Sequence, residues 1–213
     1  MTNRNNSLPD FSQNPIPQAR SHGTKETTRQ VFQKKSEDEV RRLRKEKVYF
    51  SFQFLDTKHE AFNCGGVTNG WFMHLFNNLN AISELSMTEF ESQRQHYDIH
   101  AHDFNKTAHD YKEAIHPKTL SQISPENMIQ FRLSSSGGRV HGIKYHNKIY
   151  VVWLDPHHNM NPDERYGGAK YFDAPLTPYQ ELEMELKGIK EEHKTLRELL
   201  KAEGLDNLLS ENT

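Results

Sequence analysis

An α+β fold follows from three features of this sequence: three β-type segments near its centre, one amphipathic helix before them and one heptad-spaced helix after them. The β-type segments are Met128 to Leu133, Val140 to Tyr145 and Ile149 to Leu154. They are rich in β-branched and aromatic residues and are bounded by turn formers. Ser134-Ser-Ser-Gly-Gly138 makes the first connection and His146-Asn147 the second, where Asn tolerates a positive φ. Connections this short make antiparallel neighbours. The expected architecture is a small antiparallel sheet with N-terminal helices and a long C-terminal heptad helix.

Residues 1–36 are dominated by Asn, Gln, Ser and Thr, with Pro9, Pro15 and Pro17. So few apolar side chains cannot offset the entropy of ordering, and a disordered arm is expected. Ser36 and Glu39 then form a capping box, with acids first and bases last up to Lys47, as a helix dipole favours. That basic helix presents a solvated face or a phosphate contact. Val48, Phe50, Phe52 and Phe54 alternate with polar residues and predict a strand over 48–55. Thr57 to Gly66 reads as loop.

From Asn69 the period changes. Phe72, Leu75, Phe76, Leu79, Ile82 and Leu85 recur at three and four, which marks an amphipathic helix. Ser86 and Glu89 cap a short second helix. Residues 96–118 hold five histidines in a polar, aromatic-spotted stretch with little regular structure expected, and Pro117 and Pro125 bracket a turn of helix. Ile149 to Leu154 is apolar throughout, as in a strand buried on both faces, and Asp155-Pro156 ends it.

Residues 155–177 read as loop. Thr177-Pro178 then opens the last helix, whose Leu182, Leu186, Ile189, His193, Leu196 and Leu200 suit a heptad seam or a core face. Gly204 is a stop. The domain is therefore expected over 37–175, the helix over 176–204 and a tail over 205–213.

The length, 213 residues, suits one domain with tails, and the hydrophobic content of 34% with a mean hydropathy of −0.91 leaves part of the chain solvated. A net charge of −2 gives no global pull toward nucleic acid, so any such role needs a local basic site. Cys64 is the sole cysteine, which excludes an internal disulfide and a multi-cysteine zinc site and fits a cytoplasmic protein. No apolar run is long enough for a membrane span, and Met1 to Ser7 lacks a signal's apolar core. No P-loop or nucleophile elbow occurs.

Phe131-Arg-Leu-Ser-Ser-Ser-Gly-Gly-Arg-Val140 resembles the turn of the RelE/ParE toxin superfamily in which a strand, a Ser-Gly turn and an arginine open the next strand. Ile149 to Leu154 is similar to that family's apolar strand, and His157-His158 lie where YoeB-like members place a His-Tyr pair. The ending "R-V-x-G…W-x-D-P-x-H" also resembles small phage- or mobile-element-type proteins. The resemblance covers about residues 128–158 by sequence and 48–158 by element order. The histidine-rich stretch, the chain length and the missing basic surplus depart from the family.

The resemblance implies a RelE-like fold and metal-independent cleavage of RNA by attack of the ribose 2′-hydroxyl, with RNA or the ribosome as substrate, an antitoxin as partner and no cofactor. Such chemistry needs a proton acceptor, a charge clamp for the phosphate and a proton donor. Arg139 would grip the phosphate, Arg132 would add a second cation, and His157 or His158 would move the proton. Lys144, Trp153 and Tyr166 are the candidate substrate contacts, the aromatics by stacking on a base.

Blander readings stand beside these. Arg139 can pair with Asp155, Trp153 can be core, and the two histidines can be exposed turn residues. A metal alternative places His96 and His100 on one helical face near His102 and Asp103, or combines His102 or His109 with His157, although the metalloprotease Glu is absent. The other alternative is a non-catalytic protein that binds a partner, or itself, through the C-terminal heptad helix.

Overall fold

A computed structural model describes residues 30–135 and 137–204. They form a mixed α+β structure around one five-stranded sheet. The chain runs α1 (Glu37–Leu43), β1 (Tyr49–Ser51), α2 (Asn69–Ser83), α3 (Met87–Ser92), α4 (Arg94–Tyr97), β2 (His100–Ala101), α5 (Pro117–Leu120), β3 (Met128–Arg132), β4 (Arg139–Tyr145), β5 (Lys148–Asp155) and α6 (Pro178–Ala202). Short 3-10 turns at Tyr111–Glu113, Pro125–Asn127 and Glu164–Tyr166 complete it. The strand order is β1-β5-β4-β3-β2. β2 through β5 pair antiparallel, while β1 lies parallel to β5, so the sheet is mixed rather than purely antiparallel.

The three central strands and both helices before them form where the sequence places them. Ser86 and Glu89 close the reciprocal cap at α3. At α1 the Ser36 hydroxyl accepts the Glu39 N–H. Leu75, Leu79 and Ile82 of α2 are buried, with Met87 and Phe90 of α3, against Ile129, Phe131, Val140, Ile149 and Val151. The opposite face is covered by loop residues: Phe62, Tyr111, Ile115 and Met160 pack on Ile143, Val152 and Trp153. Covering on both faces accounts for the continuous apolar run in β5.

Several expectations change. The strand expected over 48–55 pairs only over Tyr49–Ser51. Phe52 is exposed and Phe54 packs against the far face, so the alternation breaks after Ser51. Phe76 of α2 is likewise exposed. In the two-residue hairpin, His146 takes the positive φ of 59°, whereas Asn147 is buried and its amide donates to the Lys47 carbonyl.

Residues 30–36 belong to the expected disordered arm, yet Phe32 is buried among Phe54, Tyr145 and Tyr150. Residues 1–29 of that arm, and the tail over 205–213, lie outside the described residues. The histidine-rich stretch contributes an edge strand, β2, that its composition did not announce.

A register shift between His141 and Gly142 pairs them with Trp153 and Val151, leaving Val152 unpaired. This bulge turns both Val152 and Trp153 toward the loop-covered face. The Tyr111 hydroxyl reaches the carbonyls of Ile129 and Gly142 beneath it, at 3.0 and 3.1 Å. α6 has no buried residue along its 25 positions. No described helix is long and apolar enough to cross a membrane.

Candidate functional site

Phe131 and Leu133 of the β3 end, Val140 of β4 and Leu154 of β5 face α2 and α3. Alternation therefore places Gln130, Arg132, Arg139, His141 and Asp155 on the other face, where the bulge also turns Trp153. Arg132 pairs with Arg139, and Arg139 with Asp155, in one row across three strands. Arg132 and Arg139 thus share one end of one face.

Their partners differ. The Arg132 guanidinium donates to the carbonyls of Gln95 and His96, where it satisfies the end of α4. Arg139 instead meets the Nδ1 of His158. Among the described residues no carboxylate forms an ion pair with Arg139. Asp155, its expected partner, is committed elsewhere: Oδ1 accepts the Asn159 N–H at 2.8 Å, Oδ2 the Met160 N–H at 2.9 Å, and Oδ2 lies 3.3 Å from His141 Nε2.

These bonds fold the 156–160 turn back over the sheet and place His158, with φ of 63°, against Arg139. His157 donates from Nε2 to the Gly65 carbonyl at 2.8 Å and packs its ring on Phe172. Backbone strain, a buried charge and a guanidinium without a carboxylate gather within one turn of chain, a grouping found at functional sites.

Gly138 makes the close approach possible. Its φ is 85°, and a Cβ there would come within 2.6 Å of the Asp155 carbonyl oxygen and 2.7 Å of the Pro156 Cα. Both contacts are backbone and cannot swing away. Gly138→Ala is expected to cost about 1–3 kcal/mol and to part Arg139 from His158. A urea titration measures the first effect; an unchanged midpoint would contradict it.

The remaining candidates lie apart. Lys144 is five residues along β4 from Arg139, roughly 17 Å at strand rise. Its ammonium pairs with Glu91 at 2.6 Å, which Arg44 also contacts. It lines a separate cavity of about 240 Å³ with Val40, Arg44 and His146. Trp153 is fully buried and stacks on Phe62 at 4.6 Å, so it serves the core and is closed to a base. Tyr166 is exposed beside Arg165, in the loop after β5.

Two histidine arrangements were not visible in the sequence spacing. In the first, His141 Nδ1 lies 3.3 Å from His102 Nε2 while its Nε2 faces Asp155. Burial, then the nearby His141 and His100, hold the His102 pKa down to about 3, so that ring is neutral. Burial pulls the Asp155 carboxyl up, but the His141 hydrogen bond and charge and the two turn N–H groups outweigh it, and the group sits below the usual carboxylate range.

In the second, Glu113 Oε2 lies 3.0 Å from His59 Nε2 and 3.1 Å from His109 Nδ1, walled by Phe62 and Trp153. Burial raises the Glu113 pKa, but bonds from His59, the Asp110 N–H and His109 more than reverse it. His59, His109 and Glu113 have the donor types of a metal site, with ligand atoms within 4.8 Å of one another. However, the Ala61 N–H donates to His59 Nδ1 at 3.1 Å, which puts the ring proton of the neutral tautomer on Nε2. A metal at Nε2 would drive that proton onto Nδ1, against the Ala61 N–H. This second arrangement therefore reads as a carboxylate clamped by two imidazole donors.

The His96 and His100 pair of the metal alternative does not come together on one helical face. His100 lies in β2 with its Nε2 at the Gln130 amide, and His96 lies in α4. Comparison of the chain with protein-family models, curated proteins and solved structures finds no match.

Proposed function

We propose that this protein is a metal-independent RNA-cleaving enzyme of the RelE-like kind, acting from the end of the sheet where Arg139 meets His158. One observation carries the reading: a guanidinium without a carboxylate partner among the described residues touches an imidazole held in place by a strained, hydrogen-bonded turn.

Arg139 donates to His158 Nδ1, so the neutral ring keeps its proton on Nε2. Both groups then present donors, which is what a phosphate oxygen requires, and the guanidinium carries the charge that a pentavalent phosphate develops. His157 spends Nε2–H on Gly65 and retains an unprotonated Nδ1. It is the proton acceptor for the 2′-hydroxyl, and the imidazolium so formed passes that proton to the departing 5′-oxygen, while Arg139 and His158 Nε2–H hold the phosphate oxygens. Asp155 and Gly138 act by holding the turn.

Arg139→Ala and His158→Ala are each expected to slow RNA cleavage by at least about a hundredfold with little change in melting temperature. Cleavage is measured on RNA alone and on ribosome-bound messages, beside growth on expression. A wild-type protein that is inert toward both substrates and harmless when expressed would remove the proposal.

A second reading has its own observation. Leu182, Leu186, Ile189 and Leu196 of α6 are each at least half exposed. An apolar stripe of that length on a soluble surface marks a site for a partner. On this reading the sheet domain is carried to, or held by, whatever binds α6.

A further inference from the structure

We infer that α6 pairs with the α6 of a second copy of this chain, parallel and in register. This rests on the reading of α6 as an association element and names its partner. A helix of 25 residues with none buried gains nothing from packing on its own domain. Its reciprocal cap, in which the Thr177 hydroxyl accepts the Gln180 N–H and the Gln180 side chain accepts the Thr177 N–H, fixes where it begins. The apolar stripe then repeats every three and four residues, with Leu186, His193 and Leu200 at one set of seam positions and Leu182, Ile189 and Leu196 at the other.

The charges beside the seam choose the partner and its direction. Residues preceding the first set are Glu185, Glu192 and the apolar Leu199; residues following the second set are Glu183, Lys190 and Arg197. In a parallel pair each preceding position faces the following position five residues on in the other helix. Glu185 then meets Lys190, and Glu192 meets Arg197, twice over by symmetry. In an antiparallel pair preceding positions face one another and following positions do likewise; with the six seam residues aligned, Glu192 meets its own copy and Lys190 its own, although Glu183 meets Arg197. Only the parallel pair makes opposite-charge contacts without a like-charge one. His193, a single polar residue at a seam position, meets its own copy in that register and penalises slipped alignments.

The full chain is tested by sedimentation across micromolar concentrations and by cross-linking. The wild type is expected to run as a dimer, and Leu186→Glu with Leu196→Glu as a monomer. Glu185→Lys with Glu192→Lys should weaken association at least tenfold, and adding Lys190→Glu with Arg197→Glu should restore it.

Leu182→Cys should form a disulfide with itself on mild oxidation, because parallel register places position 182 opposite its own copy. The natural thiol, Cys64, is buried with its pKa pushed up to about 11 and does not compete. A dimer that ignores the charge reversal and fails to cross-link at 182 would overturn the parallel register while leaving association intact. A chain that stays monomeric throughout would overturn both. Because α6 buries nothing in the domain, none of these variants is expected to alter the emission of the buried Trp153, which serves as the folding control.

Discussion

Asp155→Ala is expected to destabilise the fold by about 3–5 kcal/mol, the cost of removing one partner from a buried, hydrogen-bonded charge site. The substitution strips acceptors from the Asn159 and Met160 N–H groups and the partner from His141, and both Asp155 and His141 are fully buried. Small domains are stable by only about 5–15 kcal/mol, so the variant should melt far below the wild type or fail to fold. Asp155→Asn keeps an amide oxygen for one of the turn N–H groups and should lose less. Chemical denaturation of the three proteins decides the matter. A loss under about 1 kcal/mol for the alanine variant would mean the turn holds itself.

Acid should weaken the fold well before its exposed carboxylates titrate. His102 is neutral when folded, with its pKa near 3, whereas an unfolded imidazole takes a proton near 6.5. Between those values the unfolded chain binds the extra proton. The stability from His102 is therefore complete above about pH 6.5 and is lost as the pH falls toward 3, by at most about 1.4 kcal/mol per pH unit. Asp155 adds a second loss in the same direction lower down. Its folded pKa is depressed, so its contribution is present above the ordinary aspartate value and disappears as the pH falls through the folded one. Urea midpoints at about pH 7, 6, 5 and 4 should decline steadily, and His102→Gln should flatten the decline above pH 4. An identical slope in the variant would place the acid-sensitive group elsewhere.

Most of the fold could be read in the residues because it is local. The heptad spacing of α6, the cap at α3 and the β3–β4–β5 meander depend on neighbours a few positions away. β2 and the parallel placement of β1 could not be read this way. β2 spans two residues whose pairing depends on where β3 lies, and a parallel edge leaves no turn signature.

The candidate site divides along the same line. Arg139 and His158 were legible because a glycine turn and an Asp-Pro stop flank their strands. Arg132 was legible as a residue but not in its role, because its partners are carbonyls of α4, more than thirty positions away in sequence. The Asp155–His141–His102 chain joins three strands' worth of sequence through side chains alone, and the His59 and Glu113 clamp spans two loops. Trp153, offered both as a substrate contact and as core, is core, as an apolar strand covered on both faces requires; only the face it takes depends on the bulge, a register event rather than a composition.

The parallel edge has a cost during biosynthesis. Tyr49 through Ser51 pair with residues about 100 positions later, which take roughly 5–20 s to be made at ordinary translation rates. For that interval Val48 and Phe50 have no sheet to join and stay uncovered by β5 until it emerges.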